Sequence, residues 1–235
     1  SGELAEVPYT DGFYGFQHVE LVTRHADFTD GHHLAWAEKQ RPDFKTLVGK
    51  ENALPDHRPR GPQAWRTAVP PELYSTQFIA DRSRSYIEDS GQRDQPFFLQ
   101  VSFTDPHHPF TPPGKYWDMY DPADIPLPQS FGQITTPRLE QVHALHAAGE
   151  HERKGGFAMP VNEEEARALL ALTYGMISFV DDAVGEILTQ LETSGMLENT
   201  VVILTSDHGD LGGDHGVMLK RMHHYQGLLR VPILW

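Results

Sequence analysis

Two short polar clusters, each placed just after an apolar run, contain the residues of this sequence best suited to chemistry. Asp207 and His208 follow the run TVVILTS, and His107 follows shortly after the run PFFLQVSFT. A carboxylate and an imidazole side by side at the tip of a strand can both reach one cation. Asp offers a hard oxygen and His a borderline nitrogen, which suits Ca²⁺, Mn²⁺, Zn²⁺ or Fe²⁺ without deciding among them. The sequence therefore predicts a divalent-metal site at Asp207 and His208.

Lys220 and the nearby glycines extend this cluster into a candidate anion site. Lys220 lies 13 residues after Asp207, so a returning loop could bring its ammonium group to the same place. The glycines of GDLGGDHG let the backbone turn sharply and approach a ligand closely. Simpler interpretations stay open: a helix cap or core histidine at Asp207-His208, a loop histidine at His107, and a solvated side chain at Lys220. His215 is a candidate for substrate binding, with stabilisation of a turn as its alternative.

Hydrophobic periodicity predicts the helices behind these clusters. Apolar residues recur at three- and four-residue spacing over 163–193, which predicts a long amphipathic helix. Asn162 can cap it, with Glu165 three residues further on. A second helix is predicted over 71–90, because prolines precede an apolar stripe and Gly91 follows it.

The apolar runs before the polar clusters predict the sheet. Residues 96–104 and 200–206 are nearly continuous stretches of apolar and β-branched residues, which is typical of strands covered on both faces. The order helix, strand, polar loop is typical of a parallel α/β sheet, whose ligands gather at the carboxyl ends of the strands. The predicted fold class is therefore α/β, with a mostly parallel mixed sheet flanked by helices.

Composition excludes several classes of function. The chain has 235 residues and no cysteine, so it forms no disulfide, thiolate metal site or cysteine nucleophile of its own. Its net charge of −14 argues against nucleic-acid binding and against an anionic membrane surface. No apolar run approaches the roughly 20 residues that span a bilayer. Residues 1–10 lack the features of a signal peptide, which leaves the compartment open. The neighbouring His32 and His33 are predicted to lie at the surface.

The ordered set of motifs resembles the sulfatases, a family of the alkaline-phosphatase-like superfamily. SDHGDLGGDHGVMLK with RVPIL resembles the family's carboxyl-terminal active-site segment, FFLQVSFTDPHHPFTPP its second histidine segment, and YGMISFVDDAVGEIL its long helix. The resemblance covers residues 96–235, and residues 11–60 fit only loosely. It implies the superfamily's α/β fold and metal-dependent hydrolysis of small-molecule sulfate esters.

The resemblance also implies roles for individual residues. Asp207 and His208 match two metal ligands, with Ca²⁺ expected and Mn²⁺ or Zn²⁺ as alternatives. Lys220 matches the lysine that binds sulfate or phosphonate oxygens, and His107 the histidine that contacts the transferred group or the leaving oxygen. Many arylsulfatases carry Asn at the position of His208. In having His there, this sequence is similar to phosphonate hydrolases, choline sulfatases and some sugar sulfatases. A phosphonate monoester or phosphodiester hydrolase is therefore the alternative function.

Several parts of the family pattern are absent from the sequence. These are an early pair of aspartates, a Gly-Lys-Trp-His segment, and C/S-x-P-S-R, whose Cys or Ser becomes the formylglycine nucleophile. The sequence also stops within the apolar run Ile233-Leu234-Trp235. We therefore expect residues 1–235 to be the central and carboxyl-terminal portion of a single catalytic domain, inactive in isolation, with formylglycine supplied by a missing segment. A non-catalytic sulfatase-like scaffold is the competing class, and the oligomeric state is left open.

Overall fold

The computed structural model describes residues 13–56, 61–93, 95–150, 158–220 and 224–235. Residues 1–12, and with them the segment considered above for targeting, lie outside these ranges. The α-helices of the described part are α1 His32–Gln40, α2 Ser75–Gly91, α3 Pro137–Ala147, α4 Glu163–Thr193 and α5 Gln226–Leu229. Its strands are β1 Val22–Thr23, β2 Asp30–Gly31, β3 Met159–Pro160, β4 Leu204–Thr205, β5 Val217–Met218 and β6 Ile233–Leu234.

Helix α4 has the start and length that the sequence predicts. The Asn162 side chain accepts a hydrogen bond from the Glu165 backbone N–H at 2.9 Å, and the Glu165 carboxylate accepts one from the Asn162 N–H at 3.1 Å. This reciprocal pair satisfies two donors that the first turn of a helix leaves unpaired. The helix buries Leu169 and Met176 completely, which fixes the predicted apolar stripe in the core.

By length and composition α4 is also apolar enough to cross a membrane, contrary to the expectation that no segment comes near this limit. Half of its most apolar window is buried inside the structure. The core helix of a soluble protein has the same properties, so one such helix is weak evidence for a membrane span.

Helix α2 confirms the second predicted helix and forms a layer with α4. Ala80 and Ile87 of α2 share a buried cluster with Ala183 and Ile187 of α4. The extended segment 97–103 lies on this layer and packs its odd-numbered side chains, Phe97, Leu99, Val101 and Phe103, against the cluster. The two helices therefore support the segment that leads into residues 104–109, the His107 loop.

A mostly parallel sheet is not confirmed. The described strands form three antiparallel pairs of two residues per strand, β1 with β2, β3 with β5 and β4 with β6. An isolated parallel bridge joins Ala64 to Phe110. The coarser prediction holds, because the structure combines helices with small sheets.

The two apolar runs differ from the predicted fully covered strands. Residues 97–103 have cover on one face, and Phe98 on the other face is 75% exposed. Within 200–206 only Leu204–Thr205 forms a strand, and Val201 is 82% exposed. A strand becomes buried on both faces only when layers pack on either side of it, and the described residues supply one such layer or none.

His33 corrects the prediction that the neighbouring histidines lie at the surface. Its side chain is buried, with Nδ1 hydrogen-bonded to Thr29 Oγ1 at 2.6 Å and Nε2 to the Leu73 carbonyl oxygen at 2.9 Å. Burial lowers the pKa of His33 to about 4 because an apolar surrounding disfavours the charged ring. Both ring nitrogens have partners, so His33 is a core residue of the helical layer.

Candidate functional site

The two ends of loop 206–220 are joined by hydrogen bonds that backbone N–H groups donate. Asp210 Oδ1 accepts from the backbone N–H groups of Gly212 at 2.8 Å and Leu219 at 3.0 Å. The Leu211 N–H also donates to the Leu219 carbonyl oxygen at 2.9 Å. Met218 and Leu219 are buried in the cluster that contains Leu169 of α4. Since Leu219 is held from both sides, the next residue, Lys220, is returned to the start of the loop.

Gly209 is required in this loop by the close approach of another backbone segment. A Cβ atom at Gly209 would lie 1.8 Å from the Gly227 carbonyl oxygen. Its N–H donates to the Leu228 carbonyl oxygen at 3.0 Å. The absence of a side chain thus lets α5 dock directly behind Asp207 and His208.

The hydrogen bonds of His208 determine which ring nitrogen carries the lone pair that could bind a cation. Nδ1 lies 2.8 Å from the Gly209 carbonyl oxygen, and because a carbonyl only accepts, Nδ1 carries the proton. The neutral ring therefore presents the lone pair on Nε2. Lys220 Nζ lies 2.6 Å from Nε2 and donates to it, and Asp207 Oδ2 lies 3.5 Å from the same nitrogen.

Asp207 adds a charged oxygen next to this lone pair. Its Oδ1 accepts from the His208 backbone N–H at 2.9 Å, and the carboxylate is 83% exposed. Partial burial would raise the pKa of Asp207, but the His208 N–H bond and the neighbouring His208 and Lys220 side chains outweigh it and lower the pKa. The carboxylate is therefore ionised at neutral pH. An anionic oxygen and an imidazole lone pair that already face an ammonium group fit a divalent cation.

His107 lies near this cluster, at the end of segment 97–103. Its Nδ1 donates to the His108 carbonyl oxygen at 2.5 Å, which leaves Nε2 as the nitrogen available to a substrate. Burial and the neighbouring Lys220 and His208 side chains lower the pKa of His107, although the His108 bond and Asp207 act in the opposite direction. The structure therefore brings together the predicted residues His107, Asp207, His208 and Lys220.

His25 was not predicted from the sequence, and its ring stacks on that of His107. The ring centroids are 3.6 Å apart and the planes differ by 16°. Loss of hydration, with the potentials of His107 and Lys220, lowers the pKa of His25 to about 4. No motif surrounds His25 in the sequence, and its position at the site depends on the tertiary fold.

Asp105 is a buried residue of the His107 loop and connects this loop to helix α2. It is 6% exposed, and its Oδ2 accepts a hydrogen bond from Thr76 Oγ1 of α2 at 3.3 Å. Burial raises the pKa of Asp105 to about 7, the Thr76 bond opposes this, and the charge of Asp27 adds to it. Oδ1 of each carboxylate, Asp27 and Asp105, is buried without a hydrogen-bond partner in the described part of the chain. A proton on Asp105 reduces the cost of burying it.

His215 makes its described contacts away from these residues. Its Nδ1 bonds to the Gln133 carbonyl oxygen at 2.8 Å, and its ring lies 4.3 Å from the ring of Tyr225. Its own carbonyl accepts from His143 Nε2 at 2.9 Å. These contacts stabilise the turn at Gly213–Gly216, where His215 has a φ of 57°. A role in substrate binding remains a prediction.

The donor set in the described ranges is incomplete for a tightly held metal. No group of three or more His, Asp or Glu side chains that could hold an ion occurs there. Asp207 and His208 are two candidate ligands, and further ligands would have to come from other segments or from substrate.

The comparison with protein families finds one match across nearly the whole chain. Residues 15–235 match the protein-family model described as Sulfatase. The match includes most of the region 1–95, where the motifs had indicated little.

Two curated relatives and one solved structure are similar over most of the chain. A multifunctional alkaline phosphatase superfamily protein, PehA, of Trinickia caryophylli is 28% identical, covering 71% of this chain and 33% of its own length. An arylsulfatase of Clostridium perfringens is 33% identical, covering 68% of this chain and 31% of its own length. The crystal structure of a phosphonate monoester hydrolase of Agrobacterium radiobacter superposes with a TM-score of 0.65 at 29% identity, covering 86% of this chain and 40% of that one. The chain thus spans about a third of the length of these curated relatives.

Proposed function

The chain belongs to the sulfatase family, and from this premise we propose that it forms part of the active site of a metal-dependent hydrolase of sulfate esters. The observation that carries the proposal is the convergence of an ionised carboxylate, an imidazole lone pair and an ammonium group at Asp207, His208 and Lys220. A sulfate ester carries negative charge on its oxygens and needs cationic partners in a site that holds it.

Asp207 and His208 would hold the divalent cation in this proposal. The hydrogen bond from His208 Nδ1 to the Gly209 carbonyl oxygen fixes the tautomer that presents Nε2. Calcium is the expected ion, with Mn²⁺ or Zn²⁺ as alternatives, since one carboxylate and one imidazole do not distinguish them. When bound, the ion would act as a Lewis acid toward a sulfate oxygen.

Lys220 would bind a second sulfate oxygen. Its ammonium group donates to His208 Nε2 in this structure, and a sulfate oxygen is a stronger, charged acceptor for the same proton. The buried residues Met218 and Leu219 hold the backbone just before it. Binding of an anion would therefore draw the Lys220 ammonium group away from His208.

His107 would assist departure of the alcohol. Its Nδ1 proton is engaged by the His108 carbonyl oxygen, so Nε2 is the atom that can hydrogen-bond or donate a proton to the leaving oxygen. The lowered pKa keeps the free ring neutral at pH 7. An anionic substrate next to the ring would favour its protonated form. The ring would therefore become an acid when the site is filled.

The remaining machinery is proposed to come from other segments of a larger catalytic domain. The relatives are about three times as long as the part that they share with this chain, and side chains such as Phe98 and Val201 leave apolar surface exposed. A formylglycine nucleophile and the other metal ligands belong to those segments in this proposal. The isolated 235-residue chain is accordingly expected to be inactive.

Hydrolysis of phosphonate monoesters or phosphodiesters is the second candidate. It is favoured by the similarity to the Agrobacterium radiobacter phosphonate monoester hydrolase, at 29% identity and a TM-score of 0.65. A sulfate and a phosphonate monoester are both tetrahedral anions, and Lys220 would bind either. A non-catalytic scaffold is the third reading, but it gives no physical reason to keep an exposed carboxylate, an imidazole lone pair and an ammonium group together.

Paired assays of the intact protein that contains this chain test the proposal. We expect divalent-metal-dependent hydrolysis of 4-nitrophenyl sulfate, with a kcat/KM greater than that for a phenyl phosphonate ester. A higher value for the phosphonate would select the second candidate. Absence of turnover with both substrates, in a preparation verified to be folded and to contain formylglycine, would select the scaffold.

A further inference from the structure

We propose that His25 is a positioning residue that holds the His107 ring in its working orientation. The proposal rests on the proposed function for the role of His107, and on the structure for the contact between the two rings. His25 lies in the segment between β1 and β2, which is 82 residues before His107 in the sequence.

The His107 ring stacks with two other imidazole rings. The distance between ring centroids is 3.6 Å to His25 and 4.1 Å to His108. The His108 ring is buried, whereas His25 keeps an exposed surface. Since His108 neighbours His107 in the chain, the distant His25 is the member of this stack that the fold has to bring in.

The backbone around His25 adopts a conformation that non-glycine residues rarely take. Arg24 has a φ of 63° and Ala26 a φ of 57°, both in the left-handed region, and His25 between them is extended with φ −142° and ψ 164°. Such conformations persist where surrounding structure enforces them, and they cluster at functional sites. Two of them flank His25, whose ring stacks on that of His107.

The fold enforces this conformation through Ala26 and Asp27. Ala26 is fully buried, and Asp27 Oδ2 accepts hydrogen bonds from Trp65 Nε1 at 3.0 Å, Thr67 Oγ1 at 2.8 Å and the Gly49 N–H at 3.2 Å. Three donors from two other parts of the chain thus fix the residues that follow His25. The His25 ring is therefore presented by a rigid backbone and not by a freely moving loop.

The hydrogen bond of His107 does not fix the plane of its ring, and stacking on His25 restricts that plane. The bond from Nδ1 to the His108 carbonyl oxygen fixes one edge of the ring, and stacking on His25 fixes the ring plane. Together they define the direction of Nε2. Proton donation depends steeply on such alignment, and it matters most for alcohols that leave poorly.

Three variants of the intact protein test this role. His25→Ala removes the ring, and His25→Phe keeps a ring for stacking without the imidazole nitrogens. His18→Ala is a matched control, because the His18 ring lies outside the described site, with its centroid 5.7 Å from that of the Tyr86 ring. The assay compares 4-nitrophenyl sulfate, a good leaving group, with phenyl sulfate, a poor one. For His25→Ala we expect kcat on phenyl sulfate to fall about tenfold more than on 4-nitrophenyl sulfate. His25→Phe should recover most of the loss, and His18→Ala should match wild type.

Equal losses on both substrates would overturn the proposal, since that pattern reflects a general structural defect. An equal defect in His25→Phe and His25→Ala would also overturn it, since the ring nitrogens would then act directly. NMR spectra of the same proteins with labelled histidine separate this idea from the proposed function. The His107 ring resonances should shift in His25→Ala and stay near wild type in His25→Phe, whether or not the protein hydrolyses sulfate esters. Unmoved His107 resonances in His25→Ala would contradict the positioning role by themselves.

Discussion

The two loops of the candidate site are held in different ways. The site residues at the two ends of loop 206–220 are brought together by contacts within the loop and with the nearby α5, such as Asp210 to Leu219 and Gly209 to Leu228, although β5 in this loop also pairs with β3. The His107 loop depends on distant parts of the chain: Thr76 of α2 bonds to Asp105, and His25 stacks on His107. Residues of the first loop can therefore be recognised from one continuous stretch of sequence. The second acquires its geometry only in the folded chain.

The largest expected effect on stability comes from disrupting loop 206–220 at Gly209. A Cβ atom there would meet the Gly227 carbonyl oxygen at 1.8 Å, so Gly209→Ala must displace backbone. We expect a loss of about 3 kcal/mol or more in the free energy of unfolding, measured by urea denaturation. Gly185→Ala is the matched control, because a Cβ atom at this helical position meets nothing within 4 Å. The control should gain roughly 0.5–1 kcal/mol, and equal stability of the two variants would refute the tight packing.

The second loop is expected to respond to pH through Asp105. Its pKa is raised from 3.8 to about 7 in the folded protein, so the folded state binds the proton more tightly than the unfolded state does. Stability from this group is complete below about pH 4 and is lost as pH rises to about 7. Above pH 5 this loss corresponds to roughly 2–3 kcal/mol at about 1.4 kcal/mol per pH unit.

Asp105→Asn should abolish this part of the pH dependence. Urea unfolding at pH 5 and pH 8 is expected to show a smaller loss of stability with rising pH for the variant than for wild type. Asp43→Asn is the control, since Asp43 is exposed beside Arg41. If wild type and Asp105→Asn lose stability equally between these pH values, Asp105 is not the buried acid described here.

The smallest expected effect is metal binding by the isolated chain. Loop 206–220 offers two candidate ligands, and two ligands seldom hold a cation against water. Calorimetric titration of the 235-residue chain with Ca²⁺ and with Mn²⁺ should therefore give only weak binding. Sub-micromolar binding that disappears in Asp207→Ala would mean that the loop holds a complete site without help from other segments.

The sequence allowed prediction of those parts whose causes are local. The capping box at Asn162, the stripe of α4 and the group of Asp207, His208 and Lys220 all depend on residues close together in the chain. His25 carries no local signal, because its role depends on the turn fixed by Asp27. His33 resembles a surface histidine in sequence, but Thr29 and the Leu73 carbonyl satisfy both its nitrogens in the core.

The sheet was predicted least well for a related reason. Apolar runs such as 96–104 and 200–206 indicate what a strand would bury, but not which strands pair with it. Pairing depends on partners far away in the sequence. The described strands pair in antiparallel twos, and Val201 stays exposed. Periodicity therefore identified the helices and the tips of the apolar runs better than the sheet between them.

The central claim is that Asp207 and His208 bind the metal ion that hydrolysis of a sulfate ester requires. The most direct measurement is kcat/KM of the intact protein on 4-nitrophenyl sulfate with Ca²⁺ for wild type, Asp207→Asn and the control Asp181→Asn on the exposed surface of α4. We predict a fall of about 100-fold or more for Asp207→Asn, since the variant loses a charged ligand at the reacting group. Asp181→Asn should match wild type. Hydrolysis by Asp207→Asn at the wild-type rate would contradict the account.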